Sequence, residues 1–272
     1  MSVPLEPADH NPKPTLAYTL EQFKNCTDFT HRTFPGNSLN VVYLSYLIDS
    51  DELMRDIIQP FTGANDEEAA AILACHPYKP AENAYECIDG ILDSNGAIFL
   101  GDQAWLVPLA RMVGRQVEQT ETESVIAGPH DGFVENPTEN ISVLRKRIKS
   151  SHLKTLKLSV GEITRTDVFI LYMEGISNQD NVDLLVQRIR SVEIDGIVEG
   201  NMFVQLIDEN PNSVFPQFMT TERPDAAASK LLGGRIAVIV DGSPSVIICP
   251  TAFWDFFSSP DDYYNRWLIG AC

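Results

Sequence analysis

The sequence has no basic surplus, no long apolar run and no closely spaced pair of cysteines. Its 272 residues include 38 Asp and Glu against 20 Lys and Arg, and the formal charge of −18 disfavours nucleic-acid binding, which depends on neutralising phosphates. No apolar run reaches the roughly 18 residues that a transmembrane helix requires. The five dispersed cysteines form no CxxC motif, so the sequence does not indicate a zinc ribbon or a dithiol redox site. An odd, dispersed set of thiols is typical of a reducing compartment.

The signature motifs of common enzyme classes are absent as well. The chain contains neither GxxxxGKS/T nor GxGxxG, which disfavours kinases, GTPases and Rossmann enzymes. It also lacks the GxSxG nucleophile elbow and the HExxH zinc-binding helix. Its five histidines are isolated along the chain, although distant residues can still converge in a fold. We therefore predict no enzyme activity, no cofactor and no metal site.

The two halves of the chain show the same predicted order of helices and strands. In the first half, apolar spacing and turn residues predict helices at 16–24, 50–58, 66–75 and 82–92 and strands at 29–34, 41–44, 97–100 and 105–109. In the second half they predict helices at 140–148, 177–191 and 224–232 and strands at 156–160, 168–171, 235–240 and 245–248. Ser50 and Ser177 are the expected N-caps of their helices.

An ungapped alignment of the strands supports this internal repeat. Phe29, His31, Thr33, Val41 and Leu44 align on residues about 127 positions later, which are Leu156, Leu158, Val160, Val168 and Leu171. Side-chain identity is weak, so the argument depends on the order of the elements. The alignment predicts two related α/β units.

Composition divides the chain into four regions. Residues 1–15 are expected to be a proline-stiffened leader, 16–117 a first α/β subdomain and 138–272 a second. The stretch 118–137 has too few apolar residues for a core, and its Gly and Pro residues predict an ordered linker. We thus predict an α/β fold of two tandem, topologically related subdomains, each a mixed sheet flanked by helices. The apolar end of the chain leads us to expect that its last helix continues into a membrane region.

Two carboxylates follow apolar strands and are therefore candidate functional groups. Glu174 comes after the strand at 168–171, and Asp241 comes after the strand at 235–240. Ligands and catalytic groups often collect at strand ends in α/β sheets. The structural alternative is that Glu174 caps neighbouring backbone and that Asp241 supplies an Asx turn.

The single basic cluster lies in the predicted helix 140–148. Arg145, Lys146, Arg147 and Lys149 are close together, and helical spacing would place Arg145 and Lys149 on one face. Such a face can bind an anion, or it can form salt bridges with acidic residues of the same chain or of a neighbouring subunit. The sequence leaves both interpretations open.

A series of short motifs runs from the middle of the chain to its end. They are ESVIAGPHDGF at 123–133, NI at 140–141 with RKRI at 145–148, EGI at 174–176, DG at 195–196, QLID at 205–208 with NP at 210–211, FPQ at 215–217, TERPD at 221–225, GR at 234–235, VDGSP at 240–244 and SPDDYY at 259–264 with RW at 266–267. Together they resemble the A subunit of GerA-type spore germinant receptors, and the resemblance extends over nearly the whole chain from about residue 16.

This resemblance implies a function that composition alone would not give. Family members lie in the inner membrane of bacterial spores with B and C subunits and respond to nutrients. The A subunit is thought to oligomerise and form an ion-conducting pore. The resemblance implies that this chain is the soluble N-terminal region on the cytoplasmic, spore-core side.

Three hypotheses for the function follow. The first is a non-enzymatic domain for signal transmission and subunit assembly, and the expected contact residues are Arg145, Arg147, Gly128, Pro129 and Gly132. The second is a two-lobed nutrient-binding domain with an inter-lobe cleft, and its candidate ligand residues are Glu174, Glu222, Arg223 and Asp241. The third is a hydrolase that uses the strand-end carboxylates.

Overall fold

In the computed structural model of the chain, the described residues are 12–36, 38–75, 77–110, 132–196, 200–207 and 217–251. They fold as two compact units. Unit 1 contains 12–24, 28–110 and 149–151, and unit 2 contains 25–27, 132–148 and 152–251. Most of the predicted leader, most of the predicted linker and the predicted C-terminal helix lie outside the described residues and stay predictions.

Unit 1 is built on a five-stranded sheet. Its elements are α1 (Leu16–Gln22), β1 (Phe29–Thr33), β2 (Asn40–Leu44), α2 (Ser50–Leu53), a π-helical turn (Met54–Ile58), α3 (Gln59–Phe61), α4 (Asp66–Leu73), β3 (Lys79–Pro80), α5 (Ala84–Leu92), β4 (Asn95–Leu100) and β5 (Gln103–Pro108). The strand order is β1-β2-β4-β5-β3, and every pair is antiparallel. The helices between β2 and β3 cover one face, where they enclose an apolar core.

Unit 2 repeats this plan with a second five-stranded sheet. Its elements are α6 (Pro137–Arg147), β6 (Leu153–Val160), β7 (Thr166–Met173), α7 (Gln179–Arg190), α8 (Gly200–Ile207), β8 (Met219–Thr221), α9 (Pro224–Leu232), β9 (Ile236–Val240) and β10 (Val246–Cys249). The order β6-β7-β9-β10-β8 has the same topology as the first sheet. The prediction of two topologically related α/β subdomains is therefore confirmed.

The expectation of mixed sheets is wrong, because all described strand pairs in both sheets are antiparallel. In each unit, the helices after the second strand return the chain to the end of the sheet where that strand stopped. The next central strand therefore runs back against it. The length and periodicity of the strands do not specify whether the next central strand is parallel or antiparallel.

The helix starts follow local capping chemistry, with small shifts from the predicted positions. The Asp49 carboxylate accepts hydrogen bonds from the backbone of residues 51 and 52, so Asp49 and not Ser50 caps α2. Similarly, the Asn178 side chain accepts from the backbone of Asp180, so Asn178 and not Ser177 caps α7. Pro224 occupies the first position of α9 as predicted.

The predicted offset of 127 residues correctly aligns β2 with β7, but it misaligns β1 with β6 by one residue. Val41 in β2 and Val168 in β7 both face the core formed with the following helices. In β1, however, Arg32 pairs with Val41 and shares that face, whereas His31 lies on the opposite face. Leu158, which the alignment matched to His31, pairs with Val168 and packs against the core. Because side chains alternate between faces, a displacement of one residue reverses the face.

No helix within the described ranges is both long enough and apolar enough to cross a lipid bilayer. The same described part contains no group of three or more His, Cys, Asp or Glu residues placed to hold a metal ion.

Candidate functional site

The two strand-end carboxylates, Glu174 and Asp241, lie at opposite ends of β7. The backbone N–H of Asp241 donates to the carbonyl of Asp167, next to the first residue of β7, over 2.9 Å. Glu174 follows the last residue of the same strand. Seven residues of extended chain span about 23 Å at about 3.3 Å per residue. The two carboxylates therefore cannot activate one water molecule together, which removes the geometric basis of the hydrolase hypothesis.

Glu174 forms an ion pair with a buried lysine. Its Oε2 lies 3.1 Å from Nζ of Lys154, whose side chain is 2% exposed, whereas the Glu174 side chain is 51% exposed. An unpaired ammonium is costly in such a position, so the carboxylate has a structural role. The backbone N–H of Glu174 also donates to the carbonyl of His152 over 2.8 Å.

Glu222, Arg223 and Asp241 share the other end of the second sheet. Thr221 in β8 pairs with Val246, and Val246 pairs with Ile239, so the residues that follow β8 and β9 lie at the same end. The structure therefore brings together three of the four predicted ligand residues and separates Glu174 from them.

Arg223 is already engaged within the fold. Its side chain is 1% exposed, and Nε and Nη2 donate to the two carboxylate oxygens of Asp225 over 3.2 and 2.8 Å. This bidentate geometry is the strong form of an arginine–carboxylate pair. Asp225 lies in the first turn of α9, where a carboxylate is also favoured by the helix dipole.

The segment 132–136, here called the strap, crosses this end of the sheet. The Phe133 N–H donates to the Glu222 carbonyl over 2.8 Å, and the Glu135 carbonyl accepts from the Gly242 N–H over 3.1 Å. Of the predicted contact glycines, Gly132 belongs to the strap and is half-buried. Gly128 and Pro129 lie outside the described residues.

Asn140 fixes the strap, and the sequence analysis did not identify it. Its Oδ1 accepts from the N–H of Val134 over 2.9 Å, and its Nδ2 donates to the carbonyl of the same residue over 2.5 Å. Asn140 is 1% exposed, next to Ile141 on the apolar side of α6. The sequence signals at this position are the NI motif at 140–141 and a polar residue that adjoins the apolar stripe of a helix.

The sequence predicts Arg145 as a subunit or inter-domain contact, and the structure places its side chain fully buried. Nη1 donates to the carbonyl of Leu153 over 2.7 Å, and Nη2 donates to Oγ1 of Thr155 over 3.1 Å. The predicted face with Lys149 does not form, since α6 ends at Arg147 and Lys149 pairs with Asp93 in unit 1. Arg147 is exposed in the last turn of α6.

A second segment converges on the same two residues of β6. Residues 25–27 run parallel to the start of β6, where Thr27 donates to the Thr155 carbonyl from its N–H and from Oγ1 over 2.8 and 2.9 Å. The Thr155 N–H donates to the Asn25 carbonyl over 3.2 Å, and the Cys26 thiol donates to the Leu153 carbonyl over 3.6 Å. We call residues 25–27 with Arg145, Leu153 and Thr155 the β6 clasp. It secures to unit 2 a piece of chain that precedes β1.

The buried thiols do not supply a nucleophile. Burial raises the pKa of the Cys249 thiol to about 12 and that of the Cys87 thiol to about 11. Because the thiolate is the reactive form, both side chains are unreactive at neutral pH. They pack as small apolar residues.

The chain is similar to a known family of proteins. The family model for the Bacillus/Clostridium GerA spore germination protein matches residues 17–272. Spore germination protein A1 of Bacillus subtilis is 34% identical over 266 residues, which are 94% of this chain and 55% of that protein. Spore germination protein GerQA of Bacillus cereus is 32% identical over 268 residues, which are 94% of this chain and 53% of that protein. The chain thus spans about half the length of these curated relatives.

A solved structure matches the fold as well. It is the crystal structure of the N-terminal domain of the A subunit of the Bacillus megaterium spore germinant receptor GerK3. The match has a TM-score of 0.63 and 25% sequence identity, and it covers 90% of this chain and 98% of that one.

Proposed function

Because the chain belongs to the GerA spore germination protein family, we propose that it is the N-terminal domain of a germinant receptor A subunit. We propose further that it takes part in nutrient-triggered germination by transmitting a signal and by contributing to subunit assembly, and that it catalyses no reaction. The similarity to the N-terminal domain of the GerK3 A subunit supports this assignment.

One observation carries the non-enzymatic part of the proposal. The charged residues that the sequence offered as ligands or contacts are largely used to hold unit 2 together. Arg223 binds Asp225, Arg145 binds the start of β6, and Glu174 binds Lys154. Charges that are paired within a fold position its elements, and they are less available to bind and transform a substrate.

The partners follow from the family assignment and are part of the proposal. They are the B and C subunits of the receptor and further copies of the A subunit. The proposed location is the inner membrane of the spore, with this domain on the spore-core side. A bound signal can shift the receptor only through a difference in affinity between two conformations, so the domain must differ between the resting and the activated receptor.

The test replaces Thr155 in the full-length receptor subunit and measures nutrient-triggered germination of the spores. Thr155→Val removes the hydroxyl that accepts from Arg145, and Thr155→Ser keeps it. We expect the Val variant to germinate several-fold more slowly and the Ser variant to germinate like the wild type. Immunoblots of spore membranes and co-purification of the B and C subunits must show equal amounts. Unchanged germination of the Val variant at equal abundance would contradict a role of this domain in transmission.

The nutrient-binding alternative is favoured by the grouping of Glu222, Arg223 and Asp241 at one end of the second sheet. Calorimetry of the chain against amino acids, sugars and inorganic ions distinguishes it from transmission. Saturable binding that Asp241→Asn abolishes would support the alternative. An absence of binding that depends on these residues would support transmission.

A further inference from the structure

Unit 1 contains an open cleft that none of the preceding hypotheses uses. Its volume is about 540 Å³, within the range of roughly 300–1,000 Å³ that is typical of small-molecule sites. Three separate segments form its walls, and they are residues 13–14, 80–82 and 102–105.

Backbone hydrogen bonds hold the three segments in place. The N–H of Ala81 donates to the carbonyl of Ala104 over 2.9 Å, and the N–H of Ala84 donates to the carbonyl of Pro12 over 2.8 Å. Pro80 pairs with Trp105 across β3 and β5. The cleft is therefore largely preformed, which lowers the entropic cost of binding a ligand.

The charged side chains of the cleft differ in their pairing from the buried charges of unit 2. Glu82 and Asp102 are exposed, and within the described part of the chain their carboxylates form no ion pair or hydrogen bond. The ammonium of Lys13 is likewise unpaired there. Other charged side chains nearby are paired, as in the contact of 3.4 Å between Lys79 and Glu86. The cleft thus presents two carboxylates and one ammonium that the fold does not use.

Trp105 adds an aromatic surface between these charges. Its indole is half-buried, packs against the core of unit 1 and lines the cleft. The face of a tryptophan attracts cations more strongly than that of any other aromatic side chain. Pro14, Pro80 and Ala81 supply apolar surface beside it.

We propose that this cleft binds a small organic cation. Its ammonium group lies near the carboxylates of Glu82 and Asp102, and its apolar body packs on Trp105. The two carboxylates outweigh the single ammonium of Lys13, so a cation is favoured over an anion of the same size. This site does not depend on the proposed receptor function, since it follows from the geometry and charge of unit 1 alone.

The test uses the 272-residue chain and three phenyl-bearing probes of similar size and different charge: 2-phenylethylamine, 2-phenylethanol and 3-phenylpropionate. Ligand-observed NMR and tryptophan fluorescence should show saturable binding of the amine that is at least about 5-fold tighter than binding of the alcohol or the carboxylate. Glu82→Gln or Asp102→Asn should each weaken binding of the amine about 2- to 5-fold, because single exposed charges contribute little. The double variant should weaken it about 10-fold, and Lys13→Gln should strengthen it about 2- to 4-fold.

Matched controls separate this site from other surfaces. Glu67→Gln changes an exposed carboxylate on α4 that does not line the cleft and should leave binding unchanged. Asp241→Asn in unit 2 should also have no effect, so the outcome is independent of the nutrient-binding alternative. Absence of saturable binding, equal affinity for the amine and the carboxylate, or an unchanged affinity in the double variant would each overturn the proposal.

Discussion

The guanidinium of Arg145 donates to the hydroxyl of Thr155 over 3.1 Å, and both side chains are fully buried. The same threonine uses its backbone N–H and carbonyl to bind residues 25–27. One residue of β6 therefore joins α6, the second sheet and a segment that precedes β1. Loss of either partner leaves a buried polar group without its hydrogen bond, which costs more than an exposed bond would.

The first prediction concerns this pair. Thr155→Val should lower the free energy of unfolding by about 1–3 kcal/mol, because a charged donor loses its acceptor in the interior. Urea denaturation of the chain measures the change. Thr30→Val, at a half-buried strand position of β1, is the matched control and should change stability by less than about 0.5 kcal/mol. Equal effects of the two substitutions would show that the Arg145 contact contributes nothing.

The second prediction concerns Asp225, the partner of Arg223. Asp225→Asn should destabilise the chain by about 3–5 kcal/mol, because it removes the carboxylate that forms a bidentate ion pair with a buried guanidinium. Asp180→Asn is the matched control, since Asp180 occupies the second position of α7 as Asp225 does in α9. The control should cost only about 0.3–1 kcal/mol, the contribution of a carboxylate near a helix N-terminus. Chemical denaturation of both variants measures the two losses in the free energy of unfolding, and similar losses would contradict the prediction.

The third prediction concerns Asn140 and the strap. Asn140→Asp replaces the amide donor with an oxygen, so the Val134 carbonyl loses its hydrogen bond. Hydrogen exchange should then increase at Val134 and Phe133, whereas the amides in the middle of α6 should keep their protection. Asn181→Asp on α7 serves as the control and should not change exchange in the strap. Unaltered exchange at Val134 in the Asp variant would show that the bond from Nδ2 of Asn140 to the Val134 carbonyl does not hold this segment.

The fourth prediction concerns the pH dependence of stability. The Cys249 thiol has a pKa of about 12 in the folded chain against a reference value of 9.0, so between these values the folded state binds more protons than the unfolded state. The contribution of the buried, protonated thiol to folding stability is fully present below about pH 9, and it is lost as the pH rises towards 12. Denaturation at pH 8 and pH 10.5 should show that wild-type chain loses about 2 kcal/mol more than Cys249→Ala. Parallel losses in the two proteins would contradict the assigned pKa.

The fifth prediction uses thiol accessibility at neutral pH. In a Cys272→Ser background, Cys75 is exposed, whereas Cys26, Cys87 and Cys249 are buried. A thiol reagent should therefore modify one cysteine in the native chain and all four after unfolding. Mass spectrometry of the labelled peptides identifies the residue. Rapid native labelling of Cys249 would contradict its burial.

Patterns that depend on neighbouring residues were predictable from the sequence. The hairpin around Asp241, the start of α9 at Pro224 and the paired order of elements in the two halves all follow from turn chemistry, capping and periodicity. These signals act over a few residues, so a linear sequence contains them completely. The family resemblance is confirmed for the same reason, since its motifs are short and contiguous.

The tertiary structure decided which polar residues are buried and which partners they bind. Arg145 belongs to a basic cluster in the sequence, but packing of α6 on the second sheet buries it, whereas Arg147 two positions later is exposed. The direction of β7 separates Glu174 from Asp241, although both follow apolar strands. The sequence alone determined most of the helices and strands, because backbone propensity and capping are local, but it did not reveal the short edge strands β3 and β8 or the helix α8. Only the folded chain determined which charges are internal and which remain available, as in the cleft of unit 1, because burial and pairing depend on segments that are distant in sequence.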